Sequence, residues 1–164
     1  RLLRDKGIDA LWSDPYSENL VARGFEYQKE NEPALLVTAF EAFEHFIRPV
    51  DEMGKLLSVS SNILLTTTLV PDPTPTPSDW WYYGLDHGQH IGFFHLNTLK
   101  YLAKIFNLNL ISDRKSTHFF SKKRYSNHIW KSLILFSKIA PYMFSIGLES
   151  KTWNDNFQLK QKNI

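Results

Sequence analysis

Three short apolar segments constrain the fold of this chain more strongly than any other feature. Their sequences, IDALWS, LLVTAF and NILLTTTLV, occupy residues 8–13, 35–40 and 62–70. Apolar runs of this length, without strict alternation of polar residues, are typical of strands buried in a parallel sheet. Because a helix-favouring segment lies between the second run and the third, the order of elements predicts an α/β fold whose sheet is mostly parallel.

The second half of the chain predicts two more helices and two further strands. Residues 97–106 place their apolar side chains on one helical face. Residues 108–112 and 117–121 are short strand-like segments, and we expect them to pair antiparallel at the edge of the sheet, so that the last strand opposes the others. Residues 127–146 predict a long helix that Pro141 disturbs.

The composition excludes several classes of protein. With 164 residues, of which 43% are hydrophobic, the chain is long enough for one domain with a core. The absence of cysteine excludes disulfides, thiolate metal sites and cysteine nucleophiles, and it fits a reducing, cytoplasmic location. No run reaches the roughly 18 apolar residues of a membrane span, so we expect no transmembrane segment. The first residues, RLLRDKGIDALW, have neither an initiator methionine nor a signal peptide, and we expect the chain to be a fragment.

The charge of the chain is unevenly distributed. Residues 1–113 carry 9 basic and 15 acidic side chains, whereas residues 114–164 carry 10 basic and 2 acidic ones. A basic tail of this kind is either a solvated helix face or a contact for an acidic partner, for phosphate groups or for a membrane surface. The KKR sequence at 122–124 is the single feature that favours nucleic acid, and we expect no nucleic-acid partner.

Polar residues whose side chains could bind a ligand or a metal follow two of the predicted strands. Ligands in open α/β sheets bind beyond the carboxyl ends of the strands. Asp14 is placed there to accept hydrogen bonds from ribose hydroxyls, or to order a turn with the PYSEN sequence that follows it. Glu41, Glu44 and His45 form an E-x-x-E-H sequence, which is either a set of metal ligands or a pair of glutamates that order the loop.

The sequence WWYYGLDHGQH at 80–90 follows a stiff connector, PDPTPTP. Its four aromatic residues either wall a substrate pocket or fill the core between this loop and the sheet. Its two histidines, His87 and His90, exchange protons near neutral pH or bind a metal. The chain contains no glycine-rich phosphate loop and no G-x-S-x-G sequence. One alternative is therefore a metal-dependent enzyme that uses Glu41, Glu44, His45, His87 and His90.

Taken in order, three stretches resemble the class I S-adenosylmethionine (SAM)-dependent methyltransferases. They are GIDALWSDPYSENLVARGFE at 7–26, LLVTAFEAFEHFIRP at 35–49 and WWYYGLDHGQHIGFFHLNTLKYLAK at 80–104. The resemblance is to a bacterial subgroup with E-x-x-E-H after the fourth strand and G-Q-H-I-x-F after the fifth. It implies a Rossmann-like methyltransferase sheet, with a partial SAM-dependent domain over residues 1–121 and a basic helical extension over 122–164.

The resemblance also implies roles for individual residues. Asp14 would hold the ribose hydroxyls of SAM, Phe25 and Glu26 would lie by the adenine, and the cofactor pocket would be lined by Ala39, Phe40 and Glu41. The substrate side would be lined by Trp80, Trp81, Tyr82, Tyr83 and Gln89. The candidate proton acceptors are His90, His87 and His45, and no residue is assigned to a metal.

In this family a glycine-rich loop follows the first strand and binds the methionine part of SAM. That segment would precede Arg1, so we expect a fold that is incomplete at its N-terminus and a chain that binds SAM poorly by itself. The predicted function of the parent enzyme is methyl transfer from SAM to a small-molecule acceptor, such as a sugar or another hydroxylated metabolite. A binding module that retains the fold without catalysis is a further alternative, and the sequence does not indicate an oligomeric state.

Overall fold

The computed structural model describes residues 1–28, 30–86, 88, 90–137, 139, 142 and 145–162. The chain forms two compact units: residues 33–135 make up one, and residues 1–32 together with 136–164 make up the other. The boundary predicted after Ser121, between a methyltransferase domain and a basic extension, stays a prediction. No helix among the described residues is long and apolar enough to cross a membrane.

The unit of residues 33–135 contains a four-stranded sheet. Its strands are β1 (Val37–Phe40), β2 (Asn62–Thr66), β3 (Asn109–Ser112) and β4 (Thr117–Ser121), in the spatial order β1-β2-β4-β3. β1 pairs parallel to β2, and β4 pairs antiparallel to both of its neighbours. Three strands therefore point in one direction and the C-terminal strand opposes them, which confirms the predicted mixed sheet.

Two helices, α2 (Pro49–Val59) and α3 (Leu96–Ile105), contribute to one hydrophobic core with this sheet. The strands reach the core through alternate residues, because successive side chains point to opposite faces. Each fully buried large apolar side chain contributes roughly 1.5–3 kcal/mol. The fully buried apolar members of the cluster are Phe43, Met53, Ile63, Leu65, Leu99 and Phe120.

The helix α4 (Asn127–Leu135) begins where the sequence predicts a helix but is shorter than predicted. None of its side chains is buried. It contacts the sheet through Trp130, whose ring stacks on Phe119 at 5.9 Å between centroids. Pro141, the predicted disturbance, lies outside the described residues.

The strand predicted at residues 8–13 is not observed, so this prediction is wrong. Ile8 and Leu11 are both exposed, and the segment makes a single isolated bridge, between Trp12 and Glu26. The physical reason is local: a side chain, that of Arg4, donates to the carboxylate of Asp9 and to the backbone carbonyl of Ala10. The backbone bonds of Trp12 to Phe25 and Tyr27 form one isolated bridge and do not continue into a strand.

The unit of residues 1–32 and 136–164 is held by a buried ion pair. Arg4 lies in α1 (Leu2–Asp5), and Asp155 lies in α5 (Thr152–Lys162). Nε and Nη2 of Arg4 each donate to a different oxygen of Asp155, both at 2.8 Å. This pairing lowers the pKa of Asp155 and raises that of Arg4. A bidentate pair of this geometry joins two segments that are distant in sequence.

Candidate functional site

A turn after β1 brings the E-x-x-E-H sequence into position. Glu41 adopts a left-handed backbone conformation with φ of 47°, which is uncommon for a residue other than glycine. Its N–H donates to the backbone oxygen and to the hydroxyl of Thr66, at 3.2 and 2.9 Å. A 3₁₀ turn, Phe43–His45, follows directly. Strained backbone of this kind persists where its surroundings fix it, and it is frequent at functional sites.

The loop at 80–92 is fastened to this turn through its backbone. The N–H groups of Ile91 and Gly92 both donate to the carbonyl oxygen of Glu44, at 2.8 and 2.9 Å. Earlier in the loop a second 3₁₀ turn, Trp81–Tyr83, ends at Gly84, which has a φ of 58°. The two polar motifs of the sequence therefore meet in one place.

Three side chains from these motifs form an acid–histidine cluster, made of Glu44, His45 and His90. Each offers one potential ligand atom, and these atoms all lie within 4.8 Å of one another. The histidine rings are nearly perpendicular, with 5.1 Å between their centroids. Glu44 is buried, His90 is partly buried and His45 is exposed, so the cluster extends from the core to the surface.

The Glu44 carboxylate is the most unusual group of the cluster. Its side chain is fully buried, and within the described part of the chain neither oxygen has a hydrogen-bond partner. A buried carboxylate without a partner costs several kcal/mol of folding free energy if it stays ionised. Buried polar groups in native proteins nearly always have a partner, so this carboxylate is a candidate for binding a group from outside the chain.

A hydrogen bond to the backbone fixes the tautomer of the neutral His90 ring. Its Nδ1 lies 2.6 Å from the carbonyl oxygen of Tyr82, which can only accept. Nδ1 therefore carries the hydrogen, and in the neutral ring Nε2 carries the lone pair. The ring also packs on Tyr82, with 4.5 Å between centroids. Nε2 of His90 can therefore accept a proton or bind a cation.

The Tyr82 hydroxyl connects the cluster to the end of β2. It donates to Oε2 of Glu41 and lies against the hydroxyl of Thr67, at 3.3 Å in each case. Burial raises the pKa of Tyr82 to about 12, and the nearby Glu44 carboxylate acts in the same direction. Tyr82 is therefore a hydrogen-bond donor at neutral pH.

Sequence reasoning missed His118, which supports this arrangement from β4. It is fully buried; its Nε2 lies 3.0 Å from the carbonyl oxygen of Thr67 and its Nδ1 lies 2.8 Å from the hydroxyl of Ser112. Burial lowers its pKa, so the neutral ring is favoured. The signal in the sequence was a histidine inside an otherwise strand-like run, THFFS, which indicates a buried side chain with partners on both nitrogens.

The four aromatic residues of the loop divide between core and surface. Trp80 and Tyr82 are buried, and Tyr83 is partly buried with its hydroxyl donating to the carbonyl of Pro75. Trp81 is 80% exposed. Three of the rings thus serve mainly to pack the loop, and Trp81 presents the largest apolar surface.

The predicted residues His87 and Gln89 lie outside the described residues. Two described neighbours of these residues in the sequence, Asp86 and Gly88, are exposed.

A comparison with protein families gives this site its chemical context. A family model described as a methyltransferase domain matches residues 1–113. The chain belongs to this family. Neither the comparison with curated proteins nor that with solved structures yields a match. The matched residues include all of the acid–histidine cluster, and the chemistry of the family is methyl transfer.

Within the methyltransferase domain, the residues predicted to contact the adenosine part of a cofactor are ordered by local bonds. Asp14 is exposed, and its two oxygens accept from the N–H of Tyr16 at 2.8 Å and the hydroxyl of Ser17 at 2.6 Å. The Ser17 hydroxyl, followed by the Tyr16 N–H, lowers the pKa of Asp14. This is the turn geometry that the PYSEN sequence predicted.

Phe25 and Glu26 line a cavity of about 500 Å³ in the unit of residues 1–32 and 136–164. Phe25 is buried, with the guanidinium of Arg4 3.8 Å above its ring centroid. Glu26 accepts hydrogen bonds from the side chain of Asn19 and the N–H of Gly24. The cavity is open and largely polar in its residues, and Asp14 is not among those that line it.

The residues predicted to line a cofactor pocket at the end of β1 differ in exposure. Ala39 is buried in the core cluster, whereas Phe40 is 55% exposed and Glu41 is exposed. Phe40 and Glu41 are therefore the two that present side chains to solvent beyond the strand.

Proposed function

We propose that the chain belongs to an enzyme that transfers a methyl group from SAM to an oxygen of a small hydroxylated acceptor, and that the acid–histidine cluster lies on the acceptor side. The observation that carries this proposal is the position of His90 in a methyltransferase domain. Its Nδ1 is engaged by the Tyr82 carbonyl at 2.6 Å, which leaves Nε2 with the lone pair. These motifs resemble those of the bacterial subgroup with E-x-x-E-H and G-Q-H-I-x-F.

Methyl transfer to a hydroxyl requires a group that takes its proton. The acceptor oxygen attacks the methyl carbon of the sulfonium, the carbon–sulfur bond breaks, and its electron pair remains on sulfur in S-adenosylhomocysteine. The acceptor proton passes to Nε2 of His90, with His45 and His87 as further candidates. The remaining contribution is the alignment of oxygen, methyl carbon and sulfur.

Exposed groups around the cluster suit a small hydroxylated acceptor. Trp81 offers a flat apolar surface, and Tyr82, Tyr83 and Trp80 hold the loop that carries it. Gln89, which lies outside the described residues, stays a predicted contact of the acceptor. Aromatic faces with a few polar groups are typical of small-molecule sites.

On the cofactor side, we infer that Asp14 accepts hydrogen bonds from the ribose hydroxyls. Its two bonds within the turn leave a carboxylate with further acceptor capacity, since two oxygens offer about four lone-pair positions. Phe25 and Glu26 would contact the adenine, and Ala39, Phe40 and Glu41 would lie along the cofactor at the end of β1.

Calorimetric titration with SAM tests the donor. It should be performed on the chain and on the chain extended by any residues that its reading frame supplies before Arg1. We expect saturable binding in at least one form, weakened by Asp14→Asn and unchanged by Asp86→Asn, an exposed acid on another loop. If neither form binds SAM, the proposal fails.

Release of S-adenosylhomocysteine, measured with a panel of sugars, polyols and phenols, tests the transfer. In the form that binds SAM, His90→Gln should lower kcat about 100-fold or more, the usual effect of losing a general base. His95→Gln is the matched control, because His95 is an exposed histidine five residues away. SAM binding with no transfer to any hydroxylated compound would favour the non-catalytic binding module.

A further inference from the structure

The acid–histidine cluster has a feature that methyl transfer by a histidine base does not use. Glu44 is fully buried beside two imidazoles, and within the residues that the structure describes neither of its oxygens accepts a hydrogen bond. A general base needs one histidine nitrogen; it does not need a buried carboxylate directed at the same point. A cation would provide the missing partner for this carboxylate.

The separation of the three potential ligand atoms fits one shared ion. They all lie within 4.8 Å of one another. A divalent transition metal bound at about 2.0–2.2 Å from each atom would hold them roughly 3–4 Å apart. Small rotations of the side chains would bring the three ligand atoms to these separations. The backbone need not move, because the bonds from Ile91 and Gly92 to Glu44 already fix it.

The hydrogen bonding of His90 matches that of a metal ligand. Histidines that bind metals usually donate their other N–H to a carboxylate or a backbone carbonyl, which fixes the tautomer and the orientation of the ring. His90 does this through Nδ1 and the carbonyl of Tyr82, at 2.6 Å. Tyr82 also orients a second carboxylate, because its hydroxyl donates to Glu41 at 3.3 Å.

We propose that Glu44, His45 and His90 bind a divalent first-row transition metal ion, such as Zn²⁺, and that Glu41, which lies outside this set, is a fourth ligand, through oxygen, on the open side. Two imidazoles with carboxylates favour such an ion over Mg²⁺ or Ca²⁺, which prefer ligands that are all oxygen. His45 and Glu41 are exposed, so the coordination sphere faces solvent. Sites with open positions are those that bind substrates.

This metal site extends the proposed function, and the class of substrate inferred for the site rests on that function. An acceptor hydroxyl bound at an open position of the ion becomes more acidic, and the resulting oxygen anion attacks the methyl carbon of SAM. Its proton passes to water, the carbon–sulfur bond breaks, and sulfur keeps the electron pair. With the ion bound, the lone pair of His90 Nε2 is engaged in coordination, and the ion takes over the activation of the acceptor. Acceptors would be hydroxyl compounds rather than amines.

Calorimetric titration of the metal-stripped chain with Zn²⁺, and with Mg²⁺ for comparison, tests the site without any methyl acceptor. We expect one Zn²⁺ per chain and an affinity for Mg²⁺ that is lower by about 100-fold or more. Glu44→Gln and His90→Ala should each weaken Zn²⁺ binding about 100-fold, since the effect of losing a ligand is at least that of losing its supporting bonds. His95→Ala and His128→Ala, which change exposed histidines outside the cluster, should bind as the unaltered chain does.

Two further readouts separate a specific site from surface binding and from misfolding. Zn²⁺ should raise the Tm of the unaltered chain but not that of Glu44→Gln, whose own circular dichroism spectrum should be native. The absorption spectrum of the Co²⁺-loaded chain should show coordination by nitrogen and oxygen, and it should change in His45→Ala. Absence of saturable Zn²⁺ binding, or binding that survives Glu44→Gln and His90→Ala, would overturn the proposal.

The outcomes distinguish this site from the proposed function. If the chain does not bind Zn²⁺ but a SAM-binding form transfers methyl groups with a histidine-type pH profile, the metal site is wrong and the methyltransferase function stands. If Zn²⁺ binds through the cluster but no form binds SAM, the metal site stands and the proposed function is wrong.

Discussion

Two buried carboxylates, those of Asp155 and Glu44, differ in what surrounds them. Asp155 accepts two hydrogen bonds at 2.8 Å from Arg4 and a weaker one at 3.3 Å from Arg1. Glu44 is buried as completely, yet among the described residues neither of its oxygens has a hydrogen-bond partner. The first arrangement compensates the loss of hydration with charge-assisted bonds, and the second does not.

This difference separates a structural carboxylate from a functional one. Asp155 joins the two ends of the sequence, and both of its oxygens accept hydrogen bonds from arginines of the same unit. Glu44 keeps its capacity for something outside the chain, and two groups close to it, His45 and His90, are also ligand types. Proteins commonly retain such locally unfavourable groups at binding and catalytic sites.

The largest effect is expected from matched amide substitutions of the two acids. Asp155→Asn removes the countercharge of a buried arginine and should lower the free energy of unfolding by about 3 kcal/mol, the lower end of the usual range, because Arg4 keeps its bonds to Asp9 and Ala10. Glu44→Gln should leave the free energy of unfolding unchanged or raise it, since no hydrogen bond is lost and a buried carboxylate is removed. Urea unfolding measures both, and equal losses would show that Glu44 is structural.

The Arg4–Asp155 pair also predicts how stability depends on pH in acid. The pKa of Asp155 is lowered from 3.8, so its contribution to stability is complete above pH 3.8 and is lost as the pH falls through the folded-state pKa. Asp155→Asn should therefore remove part of the acid denaturation. A variant that keeps the full acid transition would contradict the role assigned to the Arg4 pair.

His118 extends the comparison to a buried group that is neutral and fully bonded. Because burial lowers its pKa below 6.5, its contribution to stability is complete above pH 6.5 and declines as the pH falls toward the folded-state value. His118→Gln should cost about 2 kcal/mol at pH 8, through imperfect replacement of its two bonds, and should flatten the slope of stability below pH 6.5. Urea unfolding at several pH values checks this, and the exposed His128→Gln should leave the slope unchanged.

The Tyr82 hydroxyl tests whether the cluster is coupled to the end of β2. Tyr82→Phe removes bonds to Thr67 and Glu41 and should cost about 1 kcal/mol. Because the pKa of Tyr82 is raised from 10 to about 12, stability should fall as the pH rises between these values, and this fall should be absent in Tyr82→Phe. Zn²⁺ affinity should weaken about 10-fold through loss of Glu41 orientation. Tyr83→Phe is the control, since its hydroxyl bonds to a backbone carbonyl away from the cluster.

The core of the fold was predictable because its strands can be recognised from their own apolar residues. The runs at 35–40 and 62–70 contain β1 and β2, and THFFS at 117–121 is β4 as observed. The run at 8–13 has the same local character, yet Arg4, which lies just before it, donates to Asp9 and to the carbonyl of Ala10. Nothing within those six residues distinguishes the two outcomes.

The candidate site was predictable to the level of motifs. The alternative of a metal-dependent enzyme joined E-x-x-E-H with the histidines of the 80–90 loop, and Glu44, His45 and His90 do lie together. The details depend on backbone carbonyls, which have no sequence signature: that of Tyr82 orients His90, and that of Thr67 binds His118. The burial of Trp80 and Tyr82, with Trp81 between them exposed, likewise follows from a 3₁₀ turn that the four aromatic letters do not reveal.

The smallest effect on stability, and the most specific one on function, is expected at Trp81. Its side chain is 80% exposed, so Trp81→Ala should change the free energy of unfolding by no more than about 0.5 kcal/mol. If this ring contacts the acceptor, KM for a hydroxylated acceptor should rise about 10-fold while SAM binding is unchanged, because stacking on an aromatic face is lost. Trp153→Ala is the matched control: this tryptophan is 83% exposed in α5, and its removal should alter neither quantity. Equal KM values for the two variants would remove Trp81 from the acceptor side, and the buried rings of the loop would then be explained by packing alone.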